Sequence, residues 1–193
     1  HFFLLYYTLI ISFLVKLTNC FLDIMMLRIY TIHIKGAKKM GLWSDREKKG
    51  IIICGFAGIG KTGFLEHDPS LARKRVFDLS SSYFRKNEGW EKVYCDIAES
   101  LSKDYDYVFL STHNMVINEL LSRRTKFYLV YPRRNCRDEY IQRFIRRGNS
   151  KEYITKFIKN WDTFIQMLDD VKTDNKIELR SGQYLSDVIY RLK

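Results

Sequence analysis

The chain has 193 residues, enough for one domain with a real core, or one domain plus a tail. With 46% hydrophobic and 28% charged residues, its composition excludes a disordered chain and reads as globular. A formal net charge of +11 favours anionic partners (nucleotides, nucleic acid or a membrane face) without choosing among them.

Residues 2–15 are almost wholly apolar, Lys16 interrupts them, and a second apolar stretch over 20–26 is broken by Asp23 and followed by Arg28. The first run is shorter than the ~20 residues a membrane-spanning helix needs. No clear small-residue cleavage site follows it. Met40 reads as the start of the protein proper. Lys35-Gly36-Ala37-Lys38-Lys39 can be encoded by a purine-rich stretch containing AAGGAG, the kind of ribosome-binding site found upstream of bacterial start codons. Residues 1–39 are therefore expected to be a translated leader with no evolved fold, and a membrane anchor is the alternative. Without them the remainder, 40–193, is still basic.

Cys20, Cys54, Cys95 and Cys136 form no CxxC pair, and no His/Cys cluster has zinc-ligand spacing. They read as reduced thiols of a cytoplasmic protein.

After Met40 short apolar runs alternate with helical patterns. Residues 51–54 predict a buried strand, and a helix is expected to open at about Lys61, with Pro69 breaking the chain soon after. Strands follow at 75–79, 107–110, 127–131 and 177–179. Helical spacing covers 90–101, 116–121, 137–147, 151–171 and 184–192. This alternation predicts an α/β fold: a five-stranded parallel sheet between two helical layers, with right-handed crossovers.

Between the first strand and its helix stands Gly55-Phe56-Ala57-Gly58-Ile59-Gly60-Lys61-Thr62, which matches G-x-x-x-x-G-K-[ST] at every fixed position. Glycines let the backbone turn tightly and bring its N–H groups to phosphate oxygens. The helix that opens there adds its positive end. Gly55, Gly58, Ile59, Gly60, Lys61, Thr62 and Gly63 are the expected contacts of a nucleoside triphosphate, ATP with Mg2+. Lys61 is expected on the β and γ phosphates and the Thr62 hydroxyl on the metal.

Ligands of doubly wound sheets bind at the carboxyl ends of the strands. Asp78 ends the second strand and is followed by Ser80, Ser81 and Ser82. It is expected to hold magnesium or the acceptor, the serines to bind the acceptor or cap a helix; a simple turn is the plainer reading. The third strand ends in Ser111-Thr112-His113, where a γ-phosphate or a metal-bound water would stand. Arg133, Arg134, Arg137, Arg143, Arg146 and Arg147 follow the fourth strand, and Arg143, Arg146 and Arg147 share one helix face.

This order of elements resembles the nucleoside monophosphate kinases and their small-molecule kinase relatives, over most of residues 49–193. It is especially similar to the small adenylate-kinase-like proteins of phages and prophages. The resemblance implies that residues of about 133–150 form an arginine-rich helical lid, hinged at Gly148. Arg137, Arg143 and Arg147 would close on the transferring phosphoryl group and exclude water. A solvated basic helix is the plainer reading of the same arginines. The resemblance also implies, weakly, that the loop after the last strand, 180–183, touches adenine. Such enzymes carry an Asp after the third strand, where this chain has Ser-Thr-His.

The sequence thus predicts transfer of the ATP γ-phosphate to a nucleoside or deoxynucleoside monophosphate or a similar small acceptor. Two alternatives stand beside it. One is a nucleic-acid-associated NTPase or polynucleotide kinase, for which no binding motif is visible. The other is a nucleotide-binding regulator without turnover.

Overall fold

Three short apolar runs become central strands buried along most of their length, the usual condition of a parallel sheet, and two shorter, less buried strands form its edges. The computed structural model describes residues 49–64 and 74–192. Its strands are β1 (Ile51–Gly55), β2 (Val76–Asp78), β3 (Tyr107–Ser111), β4 (Phe127–Pro132) and β5 (Lys176–Leu179). All pair in parallel, in the order β2-β3-β1-β4-β5. The expected α/β class and five-stranded parallel sheet are present. Among the described residues no helix is long and apolar enough to cross a membrane. The leader reading of residues 1–39 lies outside the described residues.

β1 is the central strand, with Ile53 and Cys54 fully buried. Its last residue, Gly55, aligns with Ser111 on one side and Val130 on the other. The chain leaving β1 therefore emerges between two flanking strand ends. The expected helix after it is described only as far as Phe64. The Phe64 ring packs edge-on to Phe109 at 5.1 Å and to Tyr107 at 5.9 Å.

Four α-helices follow: α1 (Trp90–Leu101), α2 (Asn114–Ser122), α3 (Arg137–Arg146) and α4 (Lys151–Asp169). The steps β2 to β3, β3 to β4 and β4 to β5 all run the same way across the sheet. Right-handed crossovers then put α1, α2 and α4 on one face. In agreement, α1 packs on α2, while α2 and α4 border a common groove. Helix α3 ends in a glycine cap: Gly148 takes φ 74°, and the Asn149 N–H donates to the Phe144 carbonyl. Ser150 then caps α4 by accepting from the Tyr153 N–H at 3.2 Å.

One element differs from its sequence pattern. Residues 184–192 carry helical spacing, yet Ser186–Arg191 forms a 3-10 coil. Its bonds run three residues back, from the Val188 N–H to Leu185 and from the Leu192 N–H to Ile189. Asp187 fixes the entry by accepting from the Tyr184 N–H at 2.7 Å. The tight coil still buries Leu185, Val188, Ile189 and Leu192, so the apolar pattern is honoured by a different backbone.

Candidate active site

The 55–62 loop is held by its carbonyl groups. The Lys61 ammonium curls back and donates to the carbonyls of Gly55 (2.7 Å) and Phe56 (2.9 Å). Arg143 Nη1 donates to the Gly58 carbonyl at 3.0 Å, and the Leu185 N–H to the Ile59 carbonyl at 2.8 Å. A trans peptide points its N–H away from its carbonyl. The N–H groups of Ile59 and Gly60 are therefore turned away from Arg143 and Leu185. Gly58 and Gly60 make the turn possible, with φ of 80° and 92°. A Cβ on Gly58 would also stand 3.0 Å from the Phe144 ring.

Burial lowers the Lys61 pKa to about 8; nearby Asp78 counters this and nearby Arg147 reinforces it. Lys61, Asp78 and Arg147 thus lie within one electrostatic neighbourhood. Asp78 ends β2, and its Oδ2 accepts from the Thr62 hydroxyl at 2.9 Å. This joins the end of the glycine-rich loop to the neighbouring strand end, 16 residues away in sequence. A hydroxyl and a carboxylate form a hard oxygen pair, which suits Mg2+ completed by water and phosphate oxygens. Among the described residues no cluster of three or more His, Cys, Asp or Glu could hold a metal by protein groups alone.

No protein-family model matches the chain, and no curated protein matches it. The functional reading therefore rests on the geometry.

Beyond Asp78 the chain makes a serine turn, Ser81–Tyr83. The Ser80 hydroxyl caps it, accepting from the Ser82 N–H at 3.3 Å and meeting the Ser82 hydroxyl at 2.7 Å. The capping role expected as one option for these serines is what Ser80 performs. Ser81 Oγ shares a hydrogen bond with His113 Nε2 at 3.0 Å. The His113 ring lies edge-on to Trp90 at 5.4 Å, and the Lys86 ammonium sits 3.8 Å from the Trp90 ring centre. Partial burial lowers the His113 pKa, and the charges of Lys86 and Lys156 lower it further. Its imidazole is therefore neutral at pH 7. Thr112 stands next to it, half-exposed, at the end of β3.

Tyr94 laces the two strand ends together, a role its place on an apolar helix face did not announce. Its hydroxyl donates to the Leu79 carbonyl and accepts from the Ser111 N–H at 3.1 Å. Tyr94→Phe is expected to cost about 1–2 kcal/mol, since two buried backbone groups lose their partner. Urea denaturation would measure it; a loss below about 0.3 kcal/mol would show the lacing to be idle.

The arginines are placed in different ways. Arg133 pairs with Glu178, while Arg134 pairs with Asp169 and Asp162. Arg137 donates to the Ile158 carbonyl of α4 at 2.9 Å, so it braces the α3–α4 pair and is not brought to Lys61 by any of these contacts. Arg143 is buried, only 7% exposed, with its donors on the Gly58 and Gln183 carbonyls and on Glu139. This placement departs from that expected of an arginine closing onto phosphate. Of the three expected to close, Arg147 is the one whose charge acts on Lys61. One side of the expected lid is packed: Tyr140 and Phe144 join Phe56, Phe157 and Trp161 in one aromatic cluster, while most of residues 133–150 are exposed.

Proposed function

We propose that the chain is a P-loop kinase-like enzyme, built in three layers, that transfers the γ-phosphate of ATP to a nucleoside or deoxynucleoside monophosphate. The observation that carries this reading is the Thr62–Asp78 hydrogen bond. It sets a hydroxyl and a carboxylate beside an inward-turned lysine at the carboxyl edge of β1, where phosphates bind in such sheets. The motif thereby gains an acidic partner that the third strand does not supply.

When bound, Mg2+ would neutralise phosphate charge, held through Thr62 and Asp78. Lys61 would exchange its two carbonyl partners for phosphate oxygens. The N–H groups of Ile59 and Gly60 would bind the same phosphate chain. Arg147, at the exposed end of α3 beside Gly148, would meet the transferring group and help exclude water. That end is the part of the expected lid able to close. The acceptor would lie between Asp78 and the serine turn, near Ser81, Thr112 and His113. Lys86 and Lys156, which both act on His113, favour an acceptor that already carries a phosphate.

Incubation with γ-labelled ATP, Mg2+ and a panel of nucleoside and deoxynucleoside monophosphates tests the reading. Label is expected to move to one acceptor, and to stop moving in Lys61→Ala. If the protein binds ATP and no acceptor takes label, the kinase reading fails.

A further inference from the structure

We infer that Arg143 is a positioning residue, which sets the N–H groups of the 55–62 loop for phosphate from outside the loop. The inference rests on the reading of that loop as a phosphate cradle.

Gly58 has a positive φ and no side chain, so nothing within the residue itself holds its peptide plane. The hold comes from α3. Arg143 Nη1 grips the Gly58 carbonyl at 3.0 Å, while Nη2 reaches the Gln183 carbonyl at 2.9 Å. One planar group thereby spans two loops that lie 40 residues or more from it in sequence. The guanidinium is itself wedged, its centre 4.0 Å over the Tyr184 ring and 4.6 Å from the Tyr140 ring. Glu139, one turn earlier, accepts from Nη2 and also from the Ser181 hydroxyl (2.7 Å) and the Gly182 N–H (3.0 Å). The Leu185 N–H completes the frame on the next peptide, at the Ile59 carbonyl.

A buried guanidinium is costly unless well partnered, and here the Nε has no partner among the described residues. A residue serving packing alone would be poorly chosen at this cost. Beyond Glu139 and the two tyrosine rings, both of its remaining hydrogen bonds go to backbone carbonyls: Gly58 on one side, and Gln183 of the 180–184 loop on the other. A planar fork can hold two carbonyls at once, which a single ammonium at this place cannot do with the same geometry.

The test measures affinity of the full chain for inorganic tripolyphosphate and for ATP by titration calorimetry. Tripolyphosphate has no base, so it reports the phosphate loop alone. Arg143→Gln and Arg143→Lys are expected to weaken both ligands about tenfold, and equally, as loss of charge-assisted bonds would do. Glu139→Gln, which leaves the Gly58 contact in place, is expected to weaken them less. Leu168→Ala, a core change in α4, serves as the stability control. It is expected to lower the melting temperature and leave tripolyphosphate affinity intact. Folded Arg143 variants with unchanged tripolyphosphate affinity would overturn the inference. So would a loss in Leu168→Ala as large as theirs. If the Arg143 variants do not fold, Glu139→Gln decides, and unchanged affinity there overturns it. Failure of the unaltered protein to bind either ligand would instead remove the phosphate reading of the loop, and the inference with it.

Discussion

Lys61→Ala is expected to lower phosphoryl transfer by at least about a hundredfold, in line with removal of a charge aimed at a developing anion. ATP affinity should fall less, because the backbone N–H groups of the loop remain. The side chain is poised rather than spent. Its ammonium rests on the Gly55 and Phe56 carbonyls, both parts of the loop itself, so release costs no distant contact. A pKa of about 8 gives the prediction a second arm. In the ligand-free protein the ammonium loses its proton as pH rises through about 8, so kcat/KM should fall on that alkaline side. Stability moves the opposite way. The unfolded chain holds this proton up to the ordinary lysine range, more tightly than the folded one. The Lys61 contribution to stability therefore rises with pH from about 8 to 10.5 and is at its least favourable below 8. Lys61→Met removes that burden. Its stability relative to the unaltered protein should be higher at pH 7 than at pH 10, by on the order of 1–3 kcal/mol. Urea unfolding of both proteins at the two pH values gives the difference, and a pH-independent difference would refute the burial argument.

Trp161→Ala is expected to destabilise the fold by about 3–5 kcal/mol, the range for deleting a fully buried large aromatic. Trp161 is 1% exposed, its ring lies 5.6 Å from both Phe56 and Tyr140, and its indole N–H donates to the Arg134 carbonyl at 2.8 Å. Phe56 borders that volume and belongs to the 55–62 loop, so its repacking into the space would drag the loop. The loss should therefore appear twice: in the denaturation midpoint, and in weaker phosphate binding by the fraction that stays folded. Trp161→Phe keeps a ring and loses the hydrogen bond, so a cost nearer 1–2 kcal/mol is expected. A cost below about 1 kcal/mol for the alanine variant would mean the cluster repacks freely.

The strands and the α-helices were legible because their signals are local. Residues 51–54, 107–110 and 127–131 are continuous apolar runs, and 90–101 matches α1 at both ends. The glycine-rich motif was equally plain, since its residues are adjacent. Asp78 was singled out from its strand-end position, and it does stand against Thr62. The contacts of Arg143 are not legible in the sequence, for a physical reason. An arginine three and four residues from Arg146 and Arg147 reads as one member of a charged face. Yet α3 is also packed on its Tyr140–Phe144 side, and Arg143 falls on that boundary. Nothing in helical spacing tells a guanidinium bound to carbonyls from one bound to solvent. Tyr94 was hidden in the same way, as an apolar-face residue whose hydroxyl carries the contact. The closing 3-10 coil shares its apolar spacing with an α-helix and differs only in bonds that pattern does not record.

The frame around the 55–62 loop also bears on when the site comes into being. Gly58 waits for an arginine 85 residues downstream, and Ile59 for Leu185, later still. During synthesis the motif is therefore made well before the groups that shape it. A chain halted before Arg143 would carry every residue of the loop and neither of these contacts. On the reading of this loop as a phosphate cradle, phosphate affinity would be a property of the finished fold, and half-made protein would not tie up the ligand.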